Sequence, residues 1–305
     1  MRMSENVAQD SRPAPAGRES RAPKKRKRWP DLLLAGVFLL GLGILLYPPI
    51  SDYWNSLNQG RAIARYDDTV AHMSADDFTQ IWRDVDTYNQ ELSESTAGFH
   101  LSNDQLAEYN SLLNPAGTGM MGHIEIPKIG VDLPIYHTVE DSVLQAGVGH
   151  IPGSSLPAGG EGTHVALSGH RGLPTSTLFT NLDKVSEGDV FVLHVLDRNL
   201  AYQVDQIRIV EPHEVHDLEI IDGQDYVTLI TCTPYAINTH RLLVRGHRVD
   251  YVESQYLPAD AVRMDPVLVS MFVSVPVLIC LGALYVMHSR RKRTRATTSH
   301  EGNAS

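Results

Sequence analysis

The chain is 305 residues long, room for one large or two small domains, with 42% hydrophobic residues, 14 histidines and two cysteines. Its formal net charge of −10 is unevenly spread: nine of the 26 Lys and Arg precede Asp31 and five follow Met287, so 12 stand against 32 Asp and Glu in between and that region carries −20. So acidic a middle speaks against nucleic acid as a partner, and suits a basic partner or the solubility of an exported domain.

Residues 1–30 are polar, hold Pro13, Pro15 and Pro23, and run into the basic string KKRKR at 24–28, the pattern of a disordered cytoplasmic tail that touches anionic lipid. Residues 32–47 are apolar apart from glycines; at 16 residues they fall short of the roughly 20 a spanning helix needs, so a membrane helix or signal anchor over 31–47 and a cleaved signal peptide both stand. Trp29 and Tyr47 as interfacial aromatics, and the absence of a small-residue cleavage site before Pro48 and Pro49, favour the anchor. From 48 to 113 the pattern is helical. Tyr53, Leu57 and Ile63 mark one element; Phe78, Ile81, Trp82, Val85 and Tyr88 a second; Leu106, Tyr109, Leu112 and Leu113 a third. Ser74 with Asp77 has the spacing of a capping box, with Asp in place of Glu. We expect an extracellular helical neck here.

Residues 114–255 turn to short β segments punctuated by Gly and Pro, at 123–126, 131–136, 163–167, 189–196, 200–210, 226–231 and 241–249. A mainly β content of this kind predicts a closed barrel, which leaves no exposed edge. Residues 175–182 read as one helical turn and 211–223 as a long acidic loop, either bordering a groove or merely solvated. Residues 266–287 are 22 without a charge, followed by RRKR at 290–293, and predict a second transmembrane helix kinked at Pro276. Basic residues flank the outer end of each apolar stretch, so both tails, 1–30 and 288–305, are expected in the cytoplasm and the domain between them outside.

Residues 226–231 are β-branched and aromatic and lead to Cys232, which places a thiol at a strand end. A turn with Pro234 and Asn238 then leads into a strand from Arg241, the expected antiparallel partner, so that Arg241 lies across from Cys232. A guanidinium beside a thiol favours the thiolate and can hold an oxyanion. His170, at the end of the strand 163–167 between Gly169 and Gly172, is the candidate proton carrier. The other readings are an inert packed cysteine and a satisfied polar histidine. Cys280 falls inside the second apolar stretch, where it packs, so Cys232 has no disulfide partner in the exported region. His213 with His216 and His240 with His247 have no third ligand that spacing supplies, so no zinc is expected; calcium at the acidic loops stays open. No phosphate loop or Gly-x-Ser-x-Gly elbow is present, and no cofactor is implied.

TLITC at 228–232 resembles the TLxTC signature of sortases, LSGHRG at 167–172 is similar to that family's histidine segment, and Arg241 falls where the family has its arginine. GHIEIPKIG at 122–130, PIYH at 134–137, GVGH at 147–150, AYQVD at 201–205 and TCTPY at 231–235 follow in the order expected of class C, the pilin-polymerising sortases. The resemblance covers roughly residues 110–250. It implies an eight-stranded sortase β-barrel behind the helical neck, with a transmembrane helix at each end of the chain. It implies a cysteine transpeptidase in which Cys232 attacks an LPXTG-like sorting signal of a pilin or surface protein, His170 moves the proton, Arg241 stabilises the oxyanion, and an acceptor lysine of a pilin takes the acyl group. Class C relatives often carry an Asp-Pro-aromatic lid between the second and third neck helices. This sequence has no Asp-Pro there, but Phe99 lies at about the right place to be the plug. Two other functions fit the same residues: a housekeeping sortase that joins proteins to a cell-wall precursor, and a binding barrel whose cysteine is incidental.

Overall fold

The computed structural model describes residues 29–95, 98, 99 and 101–252, with isolated helical positions at 274, 276, 278 and 282. The expected cytoplasmic tails apart from residues 29 and 30, Cys280 and most of the second apolar stretch lie outside the described residues. The chain divides into two compact units, residues 1–45 and 46–305.

Helix α1 spans Trp29–Ala71 and contains Pro48 and Pro49. The helix continues past residue 48, the expected boundary between anchor and neck. A proline removes one ladder bond and crowds the carbonyl four residues back, which kinks a helix without having to end it. α1 is the one helix among the described residues long and apolar enough to cross a membrane, and Val37, Phe38, Leu39, Leu40, Ile44 and Leu45 are exposed on it.

In the second unit, α2 spans Ala75–Glu94 and α3 Asn103–Ser111. Ser74 and Asp77 form the expected capping box, and Ser102 with Gln105 forms another at the start of α3. The three- and four-residue spacing on α2 turns Trp82, Val85 and Tyr88 inward against the barrel core, each burial being worth about 1.5–3 kcal/mol. Polar contacts fix where the helix lands. Asn89 donates to Leu156 O at 3.0 Å and accepts from Leu156 N at 2.7 Å, while the Arg198 guanidinium lies 3.7 Å from the centre of the Trp82 ring. Lower on α1, the Tyr66 hydroxyl donates to Met121 O at 2.7 Å and accepts from Leu196 N at 2.9 Å.

The strands are β1 Met120–Ile126, β2 Val131–His137, β3 Val148–His150, β4 Thr163–Ser168, β5 Val190–Val195, β6 Arg198–Val210, β7 Asp225–Thr233 and β8 His240–Val249. They close into a barrel in the order β1, β2, β3, β4, β7, β8, β6, β5. Seven of the eight coincide with the runs read from sequence. The eighth, β3, is three residues long and follows a short helix, α4, at Asp141–Ala146, which the sequence pattern did not show. Side chains alternate in and out along each strand, so Val165, Leu167, Val227, Leu229 and Val244 fill the interior. His150 is fully buried on β3. Burial pushes its imidazole down to about 4, and the neutral ring donates from Nε2 to Ser155 O at 2.8 Å and accepts at Nδ1 from the Tyr109 hydroxyl at 2.9 Å, which ties α3 to the barrel.

Residues 175–182 are turns rather than the expected helical turn, with a single 3-10 turn following at Leu182–Lys184. The acidic loop 211–223 carries a 3-10 turn at His216–Leu218, and Leu218 is buried against the barrel's outer face.

Candidate active site

β4 and β7 run parallel in unbroken register, from Thr163 opposite Asp225 to Ser168 opposite Ile230. The pairing continues past the end of β4 through individual bonds. Gly169 N donates to Ile230 O at 3.0 Å, and the Thr231 hydroxyl donates to Gly169 O at 2.7 Å. Gly169 has to be glycine, because a Cβ there would lie 2.6 Å from the Phe179 ring. His170 is the next residue, past the end of β4, and its carbonyl accepts from Phe179 N at 3.1 Å. On the other side of β7, the antiparallel pairing with β8 sets Cys232 opposite Arg241. Of the three residues picked out from sequence, Cys232 and Arg241 are paired across β7 and β8, and His170 directly follows Gly169, which is bonded to Ile230 and Thr231 of β7.

Cys232 is a free, half-buried thiol. It shares the outer face of the barrel with Ile230, two residues earlier, by the alternation of a strand. His170 Nε2 lies 3.6 Å from Asp141 Oδ1 at the start of α4, and Asp141 Oδ2 accepts from Gln145 at 2.6 Å. Sequence reasoning did not pick out Asp141, since α4 was not visible in the pattern. Arg241 donates from Nη1 to Asn238 O at 3.3 Å and to His240 O at 3.1 Å, bonds that hold the guanidinium at the β7–β8 turn.

Next to the Cys232–Arg241 pair lies an apolar patch on the same outer face. Ile230 pairs with Leu243 as Cys232 pairs with Arg241, and Ala166 and Leu218 complete a buried cluster with them. Phe99 packs on that cluster together with Ile151 and Val210. The segment carrying it comes close: a Cβ on Gly153, whose φ is +88°, would lie 2.7 Å from Phe99 Cα. An aromatic side chain therefore packs on the cluster that holds Ile230, two residues before the cysteine, although the Asp-Pro pair is missing.

Comparison with known proteins agrees with the closed barrel. The sortase domain family matches residues 124–249. Sortase D of Bacillus subtilis (strain 168) is 28% identical over 159 residues, 51% of this chain and 77% of that protein. The crystal structure of sortase C1 from Streptococcus agalactiae shares 50% identity over 63% of this chain and 100% of that one, with a TM-score of 0.61. The structure of Clostridium perfringens sortase C with the C-terminal cell wall sorting motif shares 43% over 63% and 99%, with a TM-score of 0.56. Likeness at that identity, over the whole length of a solved class C enzyme, is likeness of family as well as of fold: this chain belongs to the sortases, which are cysteine transpeptidases, and within them to class C.

Proposed function

We propose that this enzyme polymerises pilin subunits, cleaving an LPXTG-like sorting signal and joining it to a lysine of the next subunit. The observation that carries the reading is the pairing of Cys232 with Arg241 at the end of β7, beside the loop that holds His170, in a chain 40–50% identical to class C enzymes. Among these, the Streptococcus pneumoniae sortase C is described in terms of its pilin substrate specificity.

In this reading Cys232 Sγ attacks the carbonyl carbon after the signal's threonine. The peptide C–N bond breaks, the departing amine takes a proton from His170, and the acyl group stays on sulfur as a thioester. The lysine Nζ of the incoming subunit then attacks that carbon and gives its proton to His170. The C–S bond breaks and an isopeptide bond remains. Arg241 orients the signal and holds the oxyanion, which requires its fork to swing from the turn carbonyls toward the carbonyl oxygen. The barrel, residues 114–255, works outside the cell behind the neck, residues 48–113. Residues 31–47 and 266–287 span the bilayer, and both tails lie in the cytoplasm.

The test is a membrane fraction given purified pilin with and without its acceptor lysine. A high-molecular-weight ladder should appear only with the lysine. Transfer to a cell-wall precursor with no ladder would instead establish the housekeeping role.

Phe99 acts as the lid in this scheme, its ring seated where the signal's apolar residues dock. Removing it frees the groove. Phe99→Ala should speed alkylation of Cys232 by a neutral thiol reagent about threefold to tenfold, since a contact of about 1 kcal/mol shifts an opening equilibrium by nearly that factor. An unchanged alkylation rate would make Phe99 an ordinary loop aromatic.

A further inference from the structure

The residues on either side of His170 and Cys232 are joined in pairs. Thr231, before the cysteine, bonds Gly169, before the histidine. Thr233, after the cysteine, is bonded by Arg171, after the histidine: Arg171 Nη1 donates to Thr233 Oγ1 at 3.2 Å. Both bonds bridge 62 residues, the same offset as the β4–β7 register. The second cannot be ordinary strand pairing, because β4 ends at Ser168 and a side chain makes the bond.

The guanidinium that makes it is an expensive group to place there. Its side chain is 9% exposed, its Nε is buried without a hydrogen-bond partner, and its other terminal nitrogen is paired with Asp183. A buried cation needs such pairing to persist, and the planar fork is what lets one side chain grip two partners at a fixed angle. Asp183 belongs to the 3-10 turn Leu182–Lys184, so Arg171 fastens the strand end that carries the thiol to the loop that carries the imidazole and to the turn behind that loop.

We propose that Arg171, clamped between Thr233 and Asp183, is a positioning residue that sets the distance and orientation of the His170 imidazole relative to Cys232. The proposal rests on His170 and Cys232 being the reacting pair. Without the clamp the loop keeps its bonds at Gly169, from Phe179 N to His170 O and from Gly172 N to the Thr180 hydroxyl, but loses its tie to the strand end beyond Cys232, the one that fixes the loop against the thiol from the far side.

The experiment compares the full chain with Arg171→Met, Thr233→Val and His170→Ala. For each, kcat and KM on a sorting-signal peptide are measured, together with the pH dependence of Cys232 alkylation by iodoacetamide, normalised to folded protein. That profile responds to an imidazole held against the thiol. A loop that is merely looser elsewhere leaves it unmoved. Arg171→Met should lower kcat tenfold or more with KM within about twofold, and its alkylation profile should move toward that of His170→Ala. Thr233→Val, which removes one hydroxyl and keeps the volume, should shift both in the same direction by a smaller factor. The double variant should be no worse than Arg171→Met by more than about twofold, because the two changes break one contact. Wild-type alkylation profiles in both single variants, beside a shifted one in His170→Ala, would overturn the clamp alone. If His170→Ala also kept the wild-type profile, the pairing of His170 with Cys232 and the clamp would fall together.

Discussion

Cys232→Ala should abolish both the pilin ladder and the release of the signal's leaving peptide, a loss on the order of 10⁴-fold or more. The size of the effect follows from the chemistry, since neither of the other two candidate residues can hold the acyl chain. His170 and Arg241 can polarise a carbonyl, but neither forms the thioester that carries the bond energy of the cleaved peptide to the acceptor. The folded structure should tolerate the change. Cys232 lies on the outer face, half-buried at the end of β7, so removing one sulfur empties no core space. Thermal unfolding close to that of the parent, with covalent labelling by a thiol-reactive sorting-signal peptide lost, is the expected pair of results. A ladder that survives the substitution would mean that the acyl group rides on some other nucleophile.

Much of this arrangement could be read in the sequence, because it is written in local patterns. The run from Tyr226 to Thr231 is a strand by composition, and the short turn at Pro234 and Asn238 forces an antiparallel return that brings Arg241 back to Cys232. β3 was missed for a physical reason. It is a three-residue ribbon whose middle residue, Gly149, has no room for a Cβ, with Thr138 O only 2.3 Å from where one would sit, so packing rather than propensity holds it in the sheet. α4 is six residues long, too short to show a helical period. Asp141, beside His170, was hidden with it. The clamp was hidden in another way. Thr231 and Thr233 flank the cysteine just as Gly169 and Arg171 flank the histidine, but that symmetry has meaning only once β4 and β7 are known to be parallel neighbours. Phe99 is intermediate, since sequence placed it between α2 and α3 while only the fold lays that segment across Ala166, Ile230 and Leu243.

His170→Ala should cost about 10²–10⁴ in kcat, the usual worth of a positioned proton carrier, while the signal still binds through the apolar patch and KM moves little. Both halves of the reaction need the same proton. In the proposed reaction the leaving amine must be protonated to depart from the tetrahedral intermediate and the incoming lysine deprotonated to attack, so one imidazole would serve as acid and then as base. On one side the ring's loop is tethered to β7 through Gly169, and on the other Asp141 Oδ1 lies 3.6 Å from Nε2. The expected loss should therefore be partly restored by free imidazole added to the alanine variant, which offers the carrier without the tether. It should leave the single-turnover amplitude of active sites intact, because the thiol remains. A variant with near-normal turnover, or one that added imidazole cannot help at all, would move the proton transfer to a different group.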